Sequence, residues 1–154
     1  MIIQIDTREK SKAIRKILAD FDRAGVKHIS SKLYVGDYMN LDFPRLVIDR
    51  KQNLSELTNN VCQEHKRFTA ELKRALDAGI HVVILCEHGG KIKTLDDVRE
   101  WVNPRLSDSP LAVSGERLHK ILSTMKKTYD FEILFCRKAD TGKEILRILS
   151  EAGK

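Results

Sequence analysis

The chain has 154 residues, enough for one self-sufficient domain. Hydrophobic residues make up 42% and charged residues 32%, which excludes a disordered chain, and no apolar run reaches the ~20 residues of a transmembrane helix. Twenty-eight Lys and Arg against 22 Asp and Glu leave a net charge of +6 and a pI near 9.3, a balance shared by nucleic-acid binders and by ordinary basic proteins.

The N-terminal MIIQIDTREK lacks the pattern of a signal peptide, so a cytoplasmic protein is expected. Residues 2–5 (IIQI) are predicted as a short buried strand. Ala13, Ile14, Ile17, Leu18 and Phe21 line one face of an amphipathic helix over 10–24, with Gly25 as its C-cap. Three short strands follow at about 27–33, 36–42 and 45–51, with Pro44 placed in the turn between the last two. Asn53 opens the next helix, and Glu56 completes a capping box. Apolar residues from Leu54 to Leu76 carry that helix as one run, and Gly79 ends it. IHVVILC at 80–86 is a central strand covered on both faces. Residues 89–114 read as loop with one short helix at 95–101, and they are the one candidate for a mobile insertion. A helix over 115–128, a strand over 131–136 and a helix over 140–151 started by Asp140 complete the chain. Cys62, Cys86 and Cys136 form no CxxC pair, and the last two read as small buried residues. The expected fold class is α/β: a mixed central sheet flanked by helices, one domain spanning 1–154.

The chemistry concentrates in 36–51, GDYMNLDFPRLVIDRK. Side chains alternate along a strand, so Asp49 and Lys51 share a face and Arg50 takes the other. A hairpin turning near 43–44 sets Asp37 opposite position 50, beside Asp49. Two carboxylates and a lysine then meet at one sheet end. Mg²⁺ (or Mn²⁺) takes one or two carboxylates and completes its shell with water and phosphate oxygens, so Asp37 and Asp49 are the candidate metal ligands. Lys51 is the candidate for offsetting charge on a phosphate. The bland alternative is a strand-end salt bridge.

The GD…DRK pattern, with IDTRE upstream and RFxxEL at 67–72, resembles the XPF/Hef-type structure-specific nuclease domain. That family belongs to the restriction-endonuclease-like PD-(D/E)xK superfamily, and its signature is GD, a gap, then ERKxxxD. The resemblance implies a restriction-endonuclease-like fold and a metal-dependent DNA endonuclease acting on branched, flapped or nicked DNA. It implies catalytic Asp37, Asp49, Lys51 and Asp6, and phosphate contacts from Arg8, Arg50 and Arg67. It also implies a homodimer, with apolar residues after Gly115 as a candidate interface. The likeness is to compact stand-alone members, of the kind found in bacteria or phage-infected cells. Two positions depart from the signature: Asp49 replaces glutamate, and Ser55 stands where the trailing aspartate falls. Two other readings are a catalytically inactive DNA-binding or dimerisation module, and a four-way-junction resolvase. Arg67 and Glu71, four residues apart, also read as an ordinary helical ion pair.

Overall fold

A computed structural model describes residues 1–154. In chain order the elements are β1 (Ile2–Ile5), α1 (Arg15–Arg23), β2 (Lys27–Ser30), β3 (Tyr38–Asn40), β4 (Phe43–Lys51), α2 (Leu54–Cys62), α3 (His65–Asp77), β5 (His81–Cys86), α4 (Gly115–Tyr129), β6 (Glu132–Phe135) and α5 (Thr141–Glu151). Short 3-10 turns occupy Asp96–Glu100, Pro104–Ser107 and Lys138–Asp140. The strands form one sheet in the order β2-β1-β3-β4-β5-β6. β3 runs antiparallel to both β1 and β4, whereas β4, β5 and β6 are mutually parallel.

Alternation along the strands builds two cores. Val47, Val82, Ile84, Cys86 and Ile133 face α2, α3 and α4. Ile3, Ile5, Tyr38, Ile48, Val83 and Leu85 face α1 and α5. β5 is buried on both sides, as its continuous apolar run requires. No helix is long and apolar enough to cross a membrane.

Several boundaries differ from those predicted. The α1 pattern starts late, because residues 10–14 form a turn in which Ala13 N donates to the Lys10 carbonyl at 2.9 Å. The run expected as one helix to Leu76 is two. Gln63 N and Glu64 N both donate to the Asn59 carbonyl and close α2, and α3 starts afresh at His65. Val61 and Phe68 are seven residues apart and stay in phase across the break, so periodicity alone does not reveal it. Leu76 is exposed, and Ala75 takes the buried position instead. Pro44 lies inside β4, and the turn falls at 41–42. Asp140 does not cap α5 through its side chain, which instead pairs with Arg137 at 2.9 Å. Residues 89–114 hold little regular structure, but Ile92, Val98 and Trp101 anchor them in the core beneath α4.

Candidate active site

The register of the β3–β4 hairpin decides the site. Tyr38 pairs with Ile48 and Met39 with Val47, with a bulge between Met39 and Asn40. The sequence reading placed Asp37 opposite position 50. Continuing the observed register sets Asp37 level with Asp49, one residue from that expectation. The bulge and the earlier turn account for the shift. Asp37 N donates to the Ile48 carbonyl and Arg50 N donates to Asp37 Oδ2, each at 2.8 Å. The Asp37 carboxylate is therefore tied to the backbone of the strand that carries Asp49.

Gly36 makes this approach possible. Its φ is +78°, a conformation L-residues rarely adopt. A Cβ here would meet the Val47 side chain at 2.9 Å and the Ile48 carbonyl at 3.2 Å. Gly36 N donates to Glu71 Oε1 at 3.2 Å, which ties the turn to α3.

Asp49 and Lys51 point to the α2/α3 side, as alternation predicted. Both side chains are about nine-tenths buried, with Lys51 Nζ 3.4 Å from Asp49 Oδ2 and 5.1 Å from the centre of the Phe68 ring. Burial opposes the Lys51 charge, but Asp49, Asp37 and Glu56 outweigh it and hold the group protonated beyond the usual lysine range. Burial, then the neighbouring Asp49 and Glu9, pushes the Asp37 carboxyl well above its ordinary range.

These groups sit in a cleft of about 370 Å³ whose only hydrophobic lining residue is Phe68. Six carboxylates line it (Glu9, Asp37, Asp49, Glu56, Glu64 and Glu71) against four cations (Arg8, Arg50, Lys51 and Arg67). Three of those cations are already engaged, Lys51 with Asp49 as described. Arg8 Nε donates to Asp6 at 2.6 Å. Arg50 donates to Glu9 at 2.6 and 3.0 Å, and to Glu87. The cleft thus carries more acidic than basic side chains. No three acidic or histidine side chains converge on one point. The donor set is an aspartate pair, which suits a hard divalent ion that retains most of its water.

The other expected site residues are placed as follows. Asp6 is 1% exposed and lies outside the cleft lining. Its carboxylate accepts from Leu33 N at 2.8 Å, Arg8 N at 3.1 Å and Arg8 Nε. Its own backbone N donates to the Asp37 carbonyl at 2.8 Å. Burial raises the Asp6 pKa, but Arg8 and the two backbone donors overcome this and hold it below the ordinary carboxylate range. Asp6 thus braces the strand next to Asp37. The Arg50 side chain is 7% exposed, clamped between two carboxylates on the opposite face of β4 from Asp49. Arg67 is exposed at the rim and makes no ion pair with Glu71, which is engaged with Gly36 instead.

Four acids around the site, besides the aspartates, hold its frame. Glu9 and Glu87 hold Arg50. Glu71 holds the turn at Gly36. Glu56 caps α2, accepting from Gln52 N at 2.8 Å, and also lines the cleft. Ser55, at the signature's trailing aspartate position, faces a different groove with Thr58 and Cys62. The one signal for Glu87 was its place at the C-terminal end of β5, beside the charged end of β4.

A mixed sheet with an aspartate pair and a lysine at the end of its central hairpin is the arrangement of a restriction-endonuclease-like nuclease domain. The sequence profile of the ERCC4 domain matches residues 5–149, and the chain belongs to that family, the XPF-type nuclease domains. Among solved structures it resembles XPF from Aeropyrum pernix, with TM-score 0.66 and 18% identity over 99% of this chain and 66% of that one. XPF from Aeropyrum pernix in complex with DNA matches with TM-score 0.63 and 18% identity, over 97% of this chain and 65% of that one. The chain thus spans just under two thirds of those proteins, and at this identity the likeness concerns the fold. No curated protein matched the chain by sequence.

Proposed function

We propose that the chain is a divalent-metal-dependent DNA endonuclease that hydrolyses phosphodiester bonds in branched, flapped or nicked DNA. The observation that carries this reading is the level pairing of Asp37 with Asp49, with Lys51 beside them, in a polar cleft lined by more acids than bases. Asp37 and Asp49 would hold Mg²⁺ or Mn²⁺, which would supply a Lewis acid and lower the pKa of bound water. Lys51, kept as an ammonium, donates to the phosphate oxygen that gains charge as the bond breaks. Phe68 backs its side chain and limits where Nζ can go. Glu56 is the acid nearest in sequence to the signature's vacant aspartate position, and it serves as an outer acceptor for water. Arg67 and Arg8 reach flanking phosphates from the rim. Arg50 and Asp6 act as positioning residues, fixing β4 and Asp37 rather than touching substrate.

The membership of the chain in a nuclease family favours this reading over an inactive binding module, and so does the retention of both aspartates and the lysine. A homodimer in the cytoplasm is the corresponding expectation for the assembly. The test is cleavage of labelled duplex, flap, fork and four-way-junction DNA with Mg²⁺ or Mn²⁺, beside Asp49→Ala and EDTA controls. Metal-dependent cutting by wild type alone supports the proposal and ranks the substrates. Intact DNA binding without any cutting would replace it with the inactive module, and cutting confined to four-way junctions would make the protein a resolvase.

A further inference from the structure

Tyr34 is 62% exposed, the one aromatic ring among the exposed large hydrophobic residues. It lies in the segment between β2 and β3, three residues before Asp37, and its neighbours are firmly held. Leu33 and Val35 are buried on either side of it. Leu33 N donates to Asp6, and Gly36 N donates to Glu71. Gln4 Nε2 donates to the carbonyls of Ser31 and Lys32, each at 3.2 Å. The ring is thus presented to solvent by a segment fixed at several points.

The Arg74 guanidinium lies 5.3 Å from the centre of this ring and has no acidic partner. Asp77, nearby on the same helix, is already paired with Lys73 at 3.0 Å. Arg67, Glu71 and Arg74 are spaced to share one face of α3, so a line of positions runs from the cleft rim to Tyr34. An extended chain covers at most about 3.6 Å per residue, so Tyr34 stands within about 11 Å of Asp37 along the backbone.

We propose that Tyr34 and Arg74 form a stacking platform for an unpaired base adjoining the scissile phosphate, and so bias the cleft toward DNA that is partly single-stranded. This rests on the nuclease reading above and names the substrate feature it selects. Arg74 lies over one side of the ring; the solvent-exposed side offers the surface on which any base can stack, and the guanidinium meets the backbone charge. A paired base within a duplex is already stacked and gains nothing from it.

The test is fluorescence anisotropy with two labelled DNAs of the same duplex sequence, one blunt and one with a single-stranded overhang, with Ca²⁺ replacing Mg²⁺. Tyr34→Ala is expected to weaken overhang binding about tenfold, the loss of one base–aromatic stack, and to leave blunt binding within about twofold. Tyr34→Phe keeps the ring and is expected to match wild type. Equal loss on both DNAs, no loss on the overhang, or a Phe variant as weak as Ala would overturn the platform. Cleavage of the same DNAs with Mg²⁺ separates the two proposals. If wild type cuts but Tyr34→Ala shows no overhang-selective loss, only the platform fails. If wild type neither binds nor cuts, both fail.

Discussion

Asp37→Asn is expected to make the metal-free protein more stable while removing its response to metal. Carboxylates directly opposite on antiparallel strands hang from Cβ atoms about 4.5–5.5 Å apart. At an effective dielectric of about 20, two full charges ~5 Å apart repel by about 3 kcal/mol. Lys51, 3.4 Å from Asp49, offsets part of this, and the variant also loses the attraction between Lys51 and Asp37. Asparagine retains a carbonyl oxygen to accept from Arg50 N, so the backbone tie survives. The net gain is about 1 kcal/mol, or roughly 2–4 °C in Tm for a domain of this size.

The sign can be checked against pH. The folded Asp37 holds its proton more tightly than the unfolded chain does. Wild-type stability therefore falls as pH rises from the unfolded value, about 3.9, through the raised folded value. The variant lacks this slope, so its advantage is present at pH 7.5 and absent at low pH. Thermal melts in EDTA at both pH values read this directly. Adding Mg²⁺ reverses the order, because ligand at about 100 times its Kd stabilises the wild type by about 2.7 kcal/mol. A variant less stable than wild type in EDTA at pH 7.5, or a gain that persists undiminished at low pH, would refute the opposed-carboxylate reasoning.

Gly36→Ala combines a left-handed backbone cost of about 1–2 kcal/mol with crowding against Val47 of about 1–3 kcal/mol, so a loss of about 2–5 kcal/mol is expected in chemical denaturation. A midpoint unchanged from wild type would mean that the turn is not as tight as described. Glu87→Ala leaves Arg50 buried with Glu9 alone and is expected to cost about 3 kcal/mol, at the low end for a broken buried pair. Paired Glu87→Ala and Arg50→Met changes should recover part of that loss, which urea titration measures. Lys51→Met is expected to lower single-turnover cleavage by about 10²-fold or more while DNA affinity stays near wild type. Asp6→Asn is expected to cost about 1–2 kcal/mol at neutral pH, from weakened bonds to Arg8 and Leu33. The folded Asp6 pKa is depressed, so this contribution is present above the unfolded value and lost as pH falls through the lower folded one. A difference between Asp6→Asn and wild type that is independent of pH would contradict that assignment.

Much of the site was legible because it rests on local rules. Alternation alone put Asp49 and Lys51 together, and GD at a strand start beside DRK at a strand end suggested the second carboxylate. The one-residue register error has a physical source: nothing in YMNLDF announces the bulge at Met39, and proline inside β4 reads as a turn until it is seen that β5 pairs with β4 only from Leu46 onward. The split between α2 and α3 was hidden by in-phase apolar residues, yet it sets the angle at which Glu56 and Phe68 reach one cleft from separate helices. The roles of Glu9 and Glu87 were out of reach for another reason. Each is distant in sequence from Arg50, and only the parallel pairing of β4 with β5 and the turn after β1 bring all three together.

That clamp explains why an arginine should sit between an aspartate and a lysine in this motif. β4 ends at the edge of the core, where a strand would otherwise fray and let Asp49 and Lys51 drift. Ile48 and Arg50 face α1 and α5, and Arg50 is fixed there by Glu9 and Glu87, with Glu87 in turn accepting from Thr141 Oγ1 at 2.6 Å. The same residue's backbone N holds the Asp37 carboxylate. Neutral side chains would bury more cheaply than this ion network. They would not set the strand end to within a fraction of an ångström, as the proposed metal-ligand pair on two strands would require. One face of β4 therefore carries Asp49 and Lys51, and the other holds them in register. Arg50→Met should consequently impair metal binding and cleavage even where it leaves global stability intact. Isothermal titration with Mn²⁺ decides the matter: Mn²⁺ affinity equal to wild type in a folded Arg50→Met protein would show that the clamp serves stability alone.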